Sequence, residues 1–201
     1  CLENTVRGRI QSTNHLKKLS NYAHDKQLFT HLDGARLFNA IVKKGHSAED
    51  YGACFDSISI CLSKGLGAPL GSLLLGDAHF IKTARRNRKV LGGGMRQVGI
   101  VASAGTYALN HHVDRLKDDH EHAQIIANAL ANCSWINQVL DVETNIIVAS
   151  LKDGFEPLKF LHKLEEDGVL AIPFGKGKIR MVTHLDVSSE NVEKVVESLK
   201  F

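Results

Sequence analysis

Apolar residues recur at spacings of three and four along several stretches of the chain, which is the pattern of an amphipathic helix. In residues 15–26 this spacing includes Leu16 and Leu19. Residues 37–42 repeat it, and Gly45 is placed to end that helix because glycine readily adopts a left-handed conformation. The predicted helices span residues 15–26, 37–44, 78–89 behind an Asp77 cap, 97–109, 112–131 and 155–167, with a last helix capped by Ser188.

Shorter apolar stretches between these helices predict β-strands. Residues 55–62 (FDSISICL) alternate, with Ser57 and Ser59 on one face and Ile58 and Ile60 on the other. This pattern is typical of a strand covered on both sides. Strands and helices alternate up to residue 90, which predicts parallel β-α-β units. The predicted strands span residues 27–32, 55–62, 71–75, 144–150, 169–172 and 178–183.

The pattern changes in the second half of the chain, where a smaller set of strands and helices follows the long predicted helix. We place a boundary within that helix, near residues 115–120. The sequence therefore predicts an α/β protein with a large domain over residues 1–117. A small C-terminal α/β domain is predicted over residues 118–201.

The composition is that of an ordinary globular protein. Of the 201 residues, 43% are hydrophobic and 23% are charged, which excludes a disordered or collagen-like chain. The 25 Lys and Arg against 22 Asp and Glu give a net charge of only +3, too little for a general nucleic-acid binder. The longest weakly polar stretch, residues 98–109, is too short to cross a membrane. We expect neither nucleic acid nor a membrane as a partner.

The cysteines and histidines indicate no metal or disulfide chemistry. The 4 cysteines are far apart and form no C-x-x-C pair. We also expect no secretory segment. Cys61 lies within an apolar stretch and Cys54 near one, which is typical of buried thiols in a reducing compartment. We therefore expect a cytoplasmic location. The 11 histidines form no H-x-x-x-H pair with an acidic partner, so we expect no metal site.

Two predicted strands lead into charged residues, Asp33 and Lys64. Ligands of open parallel sheets bind beyond the carboxyl ends of the strands, which makes both residues functional candidates. Asp33 is also placed to cap the following helix, and spacing alone favours that structural role.

Lys64 stands among small residues in the segment SKGLGAP, residues 63–69, where a flat ligand can approach the backbone closely. A lysine that emerges from an apolar strand is partly desolvated, which favours a neutral amine able to attack an aldehyde. The alternative is a lysine that reaches from a buried strand to water without any chemical role.

Two arginines are further candidates. Arg96 follows three glycines and precedes a predicted helix, where exposed amides, the helix dipole and a guanidinium suit a phosphate group. The basic helix before it, residues 82–89, is mostly a solvated face. Arg180 lies within a predicted strand, where a charge requires an anion, either a structural carboxylate or a substrate.

Five stretches together resemble the low-specificity L-threonine aldolases, which are pyridoxal 5′-phosphate (PLP) enzymes of the aspartate aminotransferase-like fold. The resemblance implies the carboxyl-terminal part of a fold type I large domain with a mostly parallel sheet, plus a small C-terminal domain. The stretches occur in family order over nearly the whole chain. They are LENT at residues 2–5, HLDGARLFNA at 31–40, ICLSKGLG at 60–67, LGGGMRQ at 91–97 and RMVTHLDV at 180–187.

The resemblance also implies roles for individual residues. Lys64 would bind the aldehyde of PLP covalently, and Asp33 would pair with the pyridine nitrogen and keep it protonated. Arg36 and Arg180 are similar to the residues around the substrate carboxylate.

A shared site between subunits follows from two further positions. Arg96 resembles a ligand of the cofactor phosphate in the neighbouring subunit, and Lys89 resembles a residue that approaches the same site. Self-association as a homodimer or homotetramer is therefore implied.

The implied activity is cleavage of L-threonine or L-allo-threonine to glycine and acetaldehyde. The alternatives are another fold type I lyase, such as a β-eliminating lyase or serine hydroxymethyltransferase, and a catalytically silent fragment. Members of the family extend considerably further on the amino-terminal side. We therefore expect a C-terminal fragment that binds the cofactor poorly alone and lacks its own catalytic base.

Overall fold

The computed structural model describes Glu3–Asn4 and residues 8–200. The chain divides into two compact units. Among the described residues, the first unit comprises Glu3 and Ile10–Arg115, and the second comprises Asn4, residues 8–9 and residues 116–200.

The first unit combines a three-stranded sheet with several helices. Near the start of the chain, β1 (Glu3–Asn4) and β2 (Arg9–Ile10) form a separate two-stranded sheet. The elements that lie wholly in the first unit are α1 (Thr13–Asp25), β3 (His31–Asp33), α2 (Leu37–Lys44), α3 (Ala48–Gly52), β4 (Ser57–Cys61), β5 (Ser72–Gly76), α4 (Ala78–Val90) and α5 (Gly99–His111).

Local signals fix several of these helix ends as predicted. Gly45 ends α2 in a left-handed conformation with φ 68°. The Asp77 carboxylate accepts a hydrogen bond from the Phe80 N–H at 2.7 Å and begins α4. The predicted strand at residues 27–32 is wrong over most of its length, because Gln27 has φ 56° and Phe29 is 92% exposed.

The sheet of the first unit has the order β3-β4-β5. Strands β3 and β4 are parallel, with Asp33 opposite Ser59. Strand β5 runs antiparallel to β4, so the expectation of parallel units up to residue 90 is wrong for this strand. Residues 62–71 join the two strands without a helix, and a parallel crossover needs a longer connection.

One face of this sheet packs into a hydrophobic core. Leu32, Ile58 and Ile60 are at most 7% exposed and pack with residues of α1 and α2. On the other face, Ser59 and Cys61 are only partly buried. Strand β4 was predicted to be covered on both faces. Within the described part of the chain it is completely covered on only one face. The open face carries Asp33 and the end of β4.

The second unit contains a four-stranded antiparallel sheet of order β6-β7-β9-β8. Its core includes Trp135 and Phe160, whose ring centroids are 4.0 Å apart. Its elements are α6 (Leu116–Ala131), β6 (Ile136–Val139), β7 (Ile146–Leu151), α7 (Pro157–Glu166), β8 (Ile172–Pro173), β9 (Lys178–Val182) and α8 (Ser189–Ser198).

The mixed α/β class predicted from the sequence is confirmed by these elements. The predicted cap of the last helix is also confirmed, since the Ser188 hydroxyl accepts from the Asn191 N–H at 3.3 Å. The sequence patterns missed β1, β2, α3 and β6, and the predicted strand at residues 169–172 is wrong except at Ile172, where β8 begins. No helix among the described residues has the length and apolar character needed to span a membrane.

Candidate active site

Asp33 is the last residue of β3, and a tight turn holds its carboxylate. Oδ1 accepts a hydrogen bond from the Ala35 N–H at 3.0 Å. The Gly34 N–H donates to the Ser59 carbonyl of β4 at 2.8 Å. A Cβ atom at position 34 would lie 2.8 Å from that carbonyl oxygen, so this close approach requires glycine. The turn therefore fixes the carboxylate beside β4.

The expectation that Asp33 caps the next helix is wrong. The N-cap position of α2 is occupied by Arg36. Asp33 instead accepts from the amide two residues on, which is the geometry of an Asx turn. Asp33 is exposed, and no described residue forms a hydrogen bond with Oδ2. This oxygen is therefore available to a ligand.

Lys64 follows β4 in the lysine loop, residues 62–71, which joins β4 to β5. The Gly67 N–H donates to the Lys64 carbonyl at 2.8 Å, and Gly67 has φ 69°. The Ala68 N–H donates to the Leu62 carbonyl at 3.0 Å. These two hydrogen bonds close the loop around the lysine.

The lysine loop is anchored by apolar residues while its lysine is exposed. Leu62, Leu66 and Ala68 are between 4% and 7% exposed. Lys64 itself is exposed, so the predicted desolvation of its amine is wrong for the described chain. Because β3 and β4 are parallel, the loop begins at the same edge of the sheet as the Asp33 turn. The structure thus places the two main candidates at the ends of neighbouring strands.

A thiol and a hydroxyl accompany Lys64. Cys61, the last residue of β4, lies with Sγ 3.4 Å from Ser63 Oγ. Burial raises the pKa of the Cys61 thiol, but hydrogen bonds from Ser63 and the positive charge of Lys64 outweigh burial and hold that pKa below its ordinary value. Sequence reasoning did not identify either neighbour.

Arg96 lies in the connection between α4 and α5 and is exposed. Helix α5 begins at Gly99, and Val98 at its N-cap position supplies no side-chain cap. A Cβ at Gly94 would lie 2.8 Å from Lys89 Cδ, so the Lys89 side chain packs against the glycine stretch. The structure therefore brings Lys89 and the connection together ahead of an N-terminus that can attract an anion.

The two arginines that the resemblance relates to a substrate carboxylate belong to different units. Arg36 is partly buried beside the Asp33 turn at the start of α2. Arg180 is partly buried in β9, paired with Val148 of β7 and Ile172 of β8. Its place in an inner strand of the sheet agrees with the predicted strand at 178–183.

Other predicted features lie partly outside the described residues. For the motif at residues 2–5, the structure describes only the backbone of Glu3 and Asn4, which forms β1. Cys54, Cys61 and Cys133 are free thiols. In the described ranges, no group of three or more His, Cys, Asp and Glu residues is placed to hold a metal ion.

One contact to the lysine loop was missed from the sequence. His112, which follows α5, lies with Nδ1 2.7 Å from the Leu66 carbonyl oxygen. The partner is a backbone carbonyl distant in the chain, so no residue pattern could have indicated it.

Comparison with known proteins agrees with the resemblance found in the motifs. The chain is 40% identical over 195 residues to the low specificity L-threonine aldolase of Escherichia coli (strain K12), covering 96% of this chain and 57% of that protein. It is 39% identical over 198 residues to low-specificity L-threonine aldolase 1 of Arabidopsis thaliana, covering 96% and 55%. The chain thus spans little more than half the length of these relatives.

Solved structures show the same fold. The threonine aldolase of Leishmania major superposes with a TM-score of 0.78 at 19% identity, covering 98% of this chain and 58% of that one. An ornithine aminotransferase from Toxoplasma gondii ME49 gives a TM-score of 0.66 at 14% identity, covering 96% and 47%. The predicted fold is therefore confirmed. The sequence also matches the family described as beta-eliminating lyase over residues 1–153, and the chain belongs to that family.

Proposed function

We propose that this chain is part of a PLP-dependent aldolase that cleaves L-threonine and L-allo-threonine to glycine and acetaldehyde. One observation carries the proposal: a fixed carboxylate, Asp33, ends one strand, and an exposed amine, Lys64, follows the end of the neighbouring parallel strand. The relatives named low-specificity L-threonine aldolases support the choice of substrate.

The chemical groups of Asp33 and Lys64 fit PLP. The available Oδ2 of Asp33 is an acceptor for a protonated pyridine nitrogen, and the Lys64 amine is a nucleophile for an aldehyde. The small residues around Lys64 let a flat ring approach the backbone. When bound, PLP supplies an electron sink for the Cα of the amino acid.

Each residue then performs a separate task. Lys64 would hold PLP covalently through its amine, whose condensation with the aldehyde would release one water. The Asp33 carboxylate, held by the Ala35 amide, would keep a proton on the pyridine nitrogen through charge and hydrogen bonding. The resemblance alone assigns Arg36 and Arg180 each to the substrate carboxylate, and a guanidinium bound there would orient the bond to be broken.

Phosphate binding falls to the α4–α5 connection. Arg96 supplies a guanidinium ahead of the N-terminus of α5, and Lys89 adds a second positive charge from α4.

Arg96 serves the site of a neighbouring subunit in a homodimer or homotetramer. Exposed apolar residues such as Leu74 and Ile100 support self-association. Sedimentation of the purified chain would measure it, and a monomer at all concentrations would contradict it. We also propose a cytoplasmic location, which three free thiols support.

The test of Lys64 is covalent trapping of PLP. A protein that contains this chain and the remaining length of its relatives is mixed with PLP, reduced with borohydride and digested, and the modified lysine is identified by mass spectrometry. We expect modification at Lys64 and its loss in Lys64→Ala. Lys43→Ala, which alters a lysine of α2, is the control. Equal modification of many lysines would contradict the proposal.

A second candidate function is β-elimination, which the name of the matching family favours. Both reactions use the same lysine but release different products. Threonine cleavage releases acetaldehyde, whereas elimination from serine releases ammonia and a keto acid. We expect a protein that contains this chain and the remaining length of its relatives to release acetaldehyde from threonine. Keto acid without acetaldehyde would favour elimination.

A further inference from the structure

One stripe of α5 faces the lysine loop. Gly105 and Ala108 are the buried residues of this helix, and His112 follows one turn later as its C-cap. A Cβ atom at Gly105 would lie 2.9 Å from Leu62 Cδ1, so the helix approaches the start of the loop closely. The spacing of these three positions places them on one face of a helix.

His112 forms a hydrogen bond with the loop itself. Its Nδ1 lies 2.7 Å from the carbonyl oxygen of Leu66, a residue 46 positions earlier. A carbonyl oxygen only accepts, so Nδ1 carries the proton and donates. The Tyr107 ring contacts the imidazole edge-on, with centroids 5.4 Å apart and planes at 84°. The imidazole is thus held by its own helix on one side and by the loop on the other.

The contact is close to Lys64 along the backbone. Leu66 lies between Lys64 and Gly67, whose amide donates to the Lys64 carbonyl at 2.8 Å. A shift of the Leu66 carbonyl would therefore move the turn that carries the lysine. Leu66 is 4% exposed, so loss of its partner would leave a carbonyl in a largely buried residue.

We propose that His112 is a positioning residue for Lys64, acting through the Leu66 carbonyl. This inference rests on the proposed function of Lys64 as the residue that binds PLP. His112 itself touches neither cofactor nor substrate. It holds the lysine loop against α5, so that the amine is presented in one orientation rather than several.

The test compares three variants of the longer protein that is used to trap PLP. His112→Ala removes the donor, whereas His112→Asn keeps an N–H at the same δ position of the side chain. His111→Ala is the matched control, because the neighbouring His111 is exposed and contacts Tyr107 without bonding the loop. Two quantities are measured: the rate of PLP trapping at Lys64 and hydrogen exchange at the amides of Gly67 and Ala68.

We expect His112→Ala to slow trapping and to speed amide exchange by about fivefold each, the size of one lost hydrogen bond. His112→Asn should recover most of both, and His111→Ala should match the unaltered chain. Unchanged trapping in His112→Ala, or a loss that His112→Asn does not recover, would overturn the inference. If the unaltered longer protein traps no PLP at Lys64, the proposed function fails. In that case amide exchange alone tests the inference. Exchange that is faster in His112→Ala but not in the other two variants supports it, and equal exchange in all variants refutes it.

Discussion

The two units differ in how completely they bury their apolar residues. In the second unit, Ile146, Ile147 and Val148 of β7 are each at most 2% exposed. In the first unit, every residue of β5 is exposed, and its leucines, residues 73–75, are between 40% and 44% exposed. Helix α4, which follows β5, has no buried residue. In native proteins, a long exposed apolar edge strand is normally covered by another element or paired with another strand.

The unit with the more complete core is therefore not the unit that carries the two main candidate residues. The second unit contains a core of its own, so its stability depends on side-chain packing that the chain already makes. The first unit carries Asp33 and Lys64, and it also carries the open strand. We therefore expect the same chemical change to have a large effect in the second unit and a small one on β5.

The largest expected effect is in the core of the second unit. Leu164 is 0% exposed, whereas Leu74 on β5 is 43% exposed. Leu164→Ala should lower the free energy of unfolding by about 2–5 kcal/mol, because it removes packed atoms and leaves a cavity. Leu74→Ala, the same change at an open position, should alter it by less than about 0.5 kcal/mol.

Trp135 allows the second unit to be followed by fluorescence. It is the only tryptophan of the chain and is 3% exposed in that core. Urea unfolding of both variants, monitored by Trp135, provides the measurement. Equal shifts in the two variants would contradict the contrast between the units.

The next effect concerns the Asp33 turn. Gly34→Ala places a Cβ 2.8 Å from the Ser59 carbonyl oxygen and 3.3 Å from Cγ2 of the buried Ile58. We expect a loss of about 1–3 kcal/mol, because the backbone of β4 has to move. Gly52→Ala is the control, since nothing lies within 4 Å of its Cβ.

Circular dichroism during urea unfolding would measure both glycine variants. Gly52 is within α3, so alanine there should leave stability unchanged or raise it slightly through helix propensity. Equal stability of Gly34→Ala and Gly52→Ala would show that β3 and β4 can separate without loss.

Helix caps give a smaller contrast between the units. Ser188 caps α8, whose Val192 and Val195 are buried, whereas Asp77 caps α4, which buries no residue. Ser188→Ala should lower the unfolding free energy by about 1 kcal/mol. Asp77→Ala should fray α4 locally, which amide exchange would detect, with little change in the Trp135 transition. A larger loss of global stability for Asp77→Ala would reverse the comparison.

The sequence predicted features that depend on local signals. The ends of α2, α4 and α8 follow from Gly45, Asp77 and Ser188, which act on amides or dihedral angles within a few residues. The candidate roles of Asp33 and Lys64 came from strand ends and from motifs. These features need no knowledge of distant contacts.

Features that depend on distant contacts were missed or wrong. The direction of β5 is an exception, because the short connection before it, which contains no helix, is a local signal for an antiparallel neighbour. The Asx turn of Asp33 depends on how closely Gly34 approaches β4. The bond of His112 to Leu66 joins residues far apart in the chain, and its acceptor is a backbone atom that every residue has.

The smallest expected effect is a pH dependence in the first unit. The Asp56 carboxylate, just before β4, accepts from the Thr30 N–H at 2.7 Å and the Thr30 hydroxyl at 2.8 Å, and it lies 3.0 Å from His24 Nε2. The Thr30 backbone bond, followed by the His24 and Thr30 side chains, lowers the pKa of Asp56 from 3.8 to about 2. The group thereby links the starts of β3 and β4.

The direction in which stability changes with pH follows from the lowered pKa of Asp56. Its contribution to folding is present above pH 3.8 and is lost as the pH falls through about 2, because the protonated carboxyl accepts these bonds poorly. Stability should therefore fall less steeply between about pH 5 and pH 2 in Asp56→Asn than in the unaltered chain. Asp153→Asn, at an exposed turn of the second unit, should follow the unaltered chain. Since the Asp56 side chain is 37% exposed, solvent weakens its bonds, and a slope as steep as that of the unaltered chain would show that they contribute nothing.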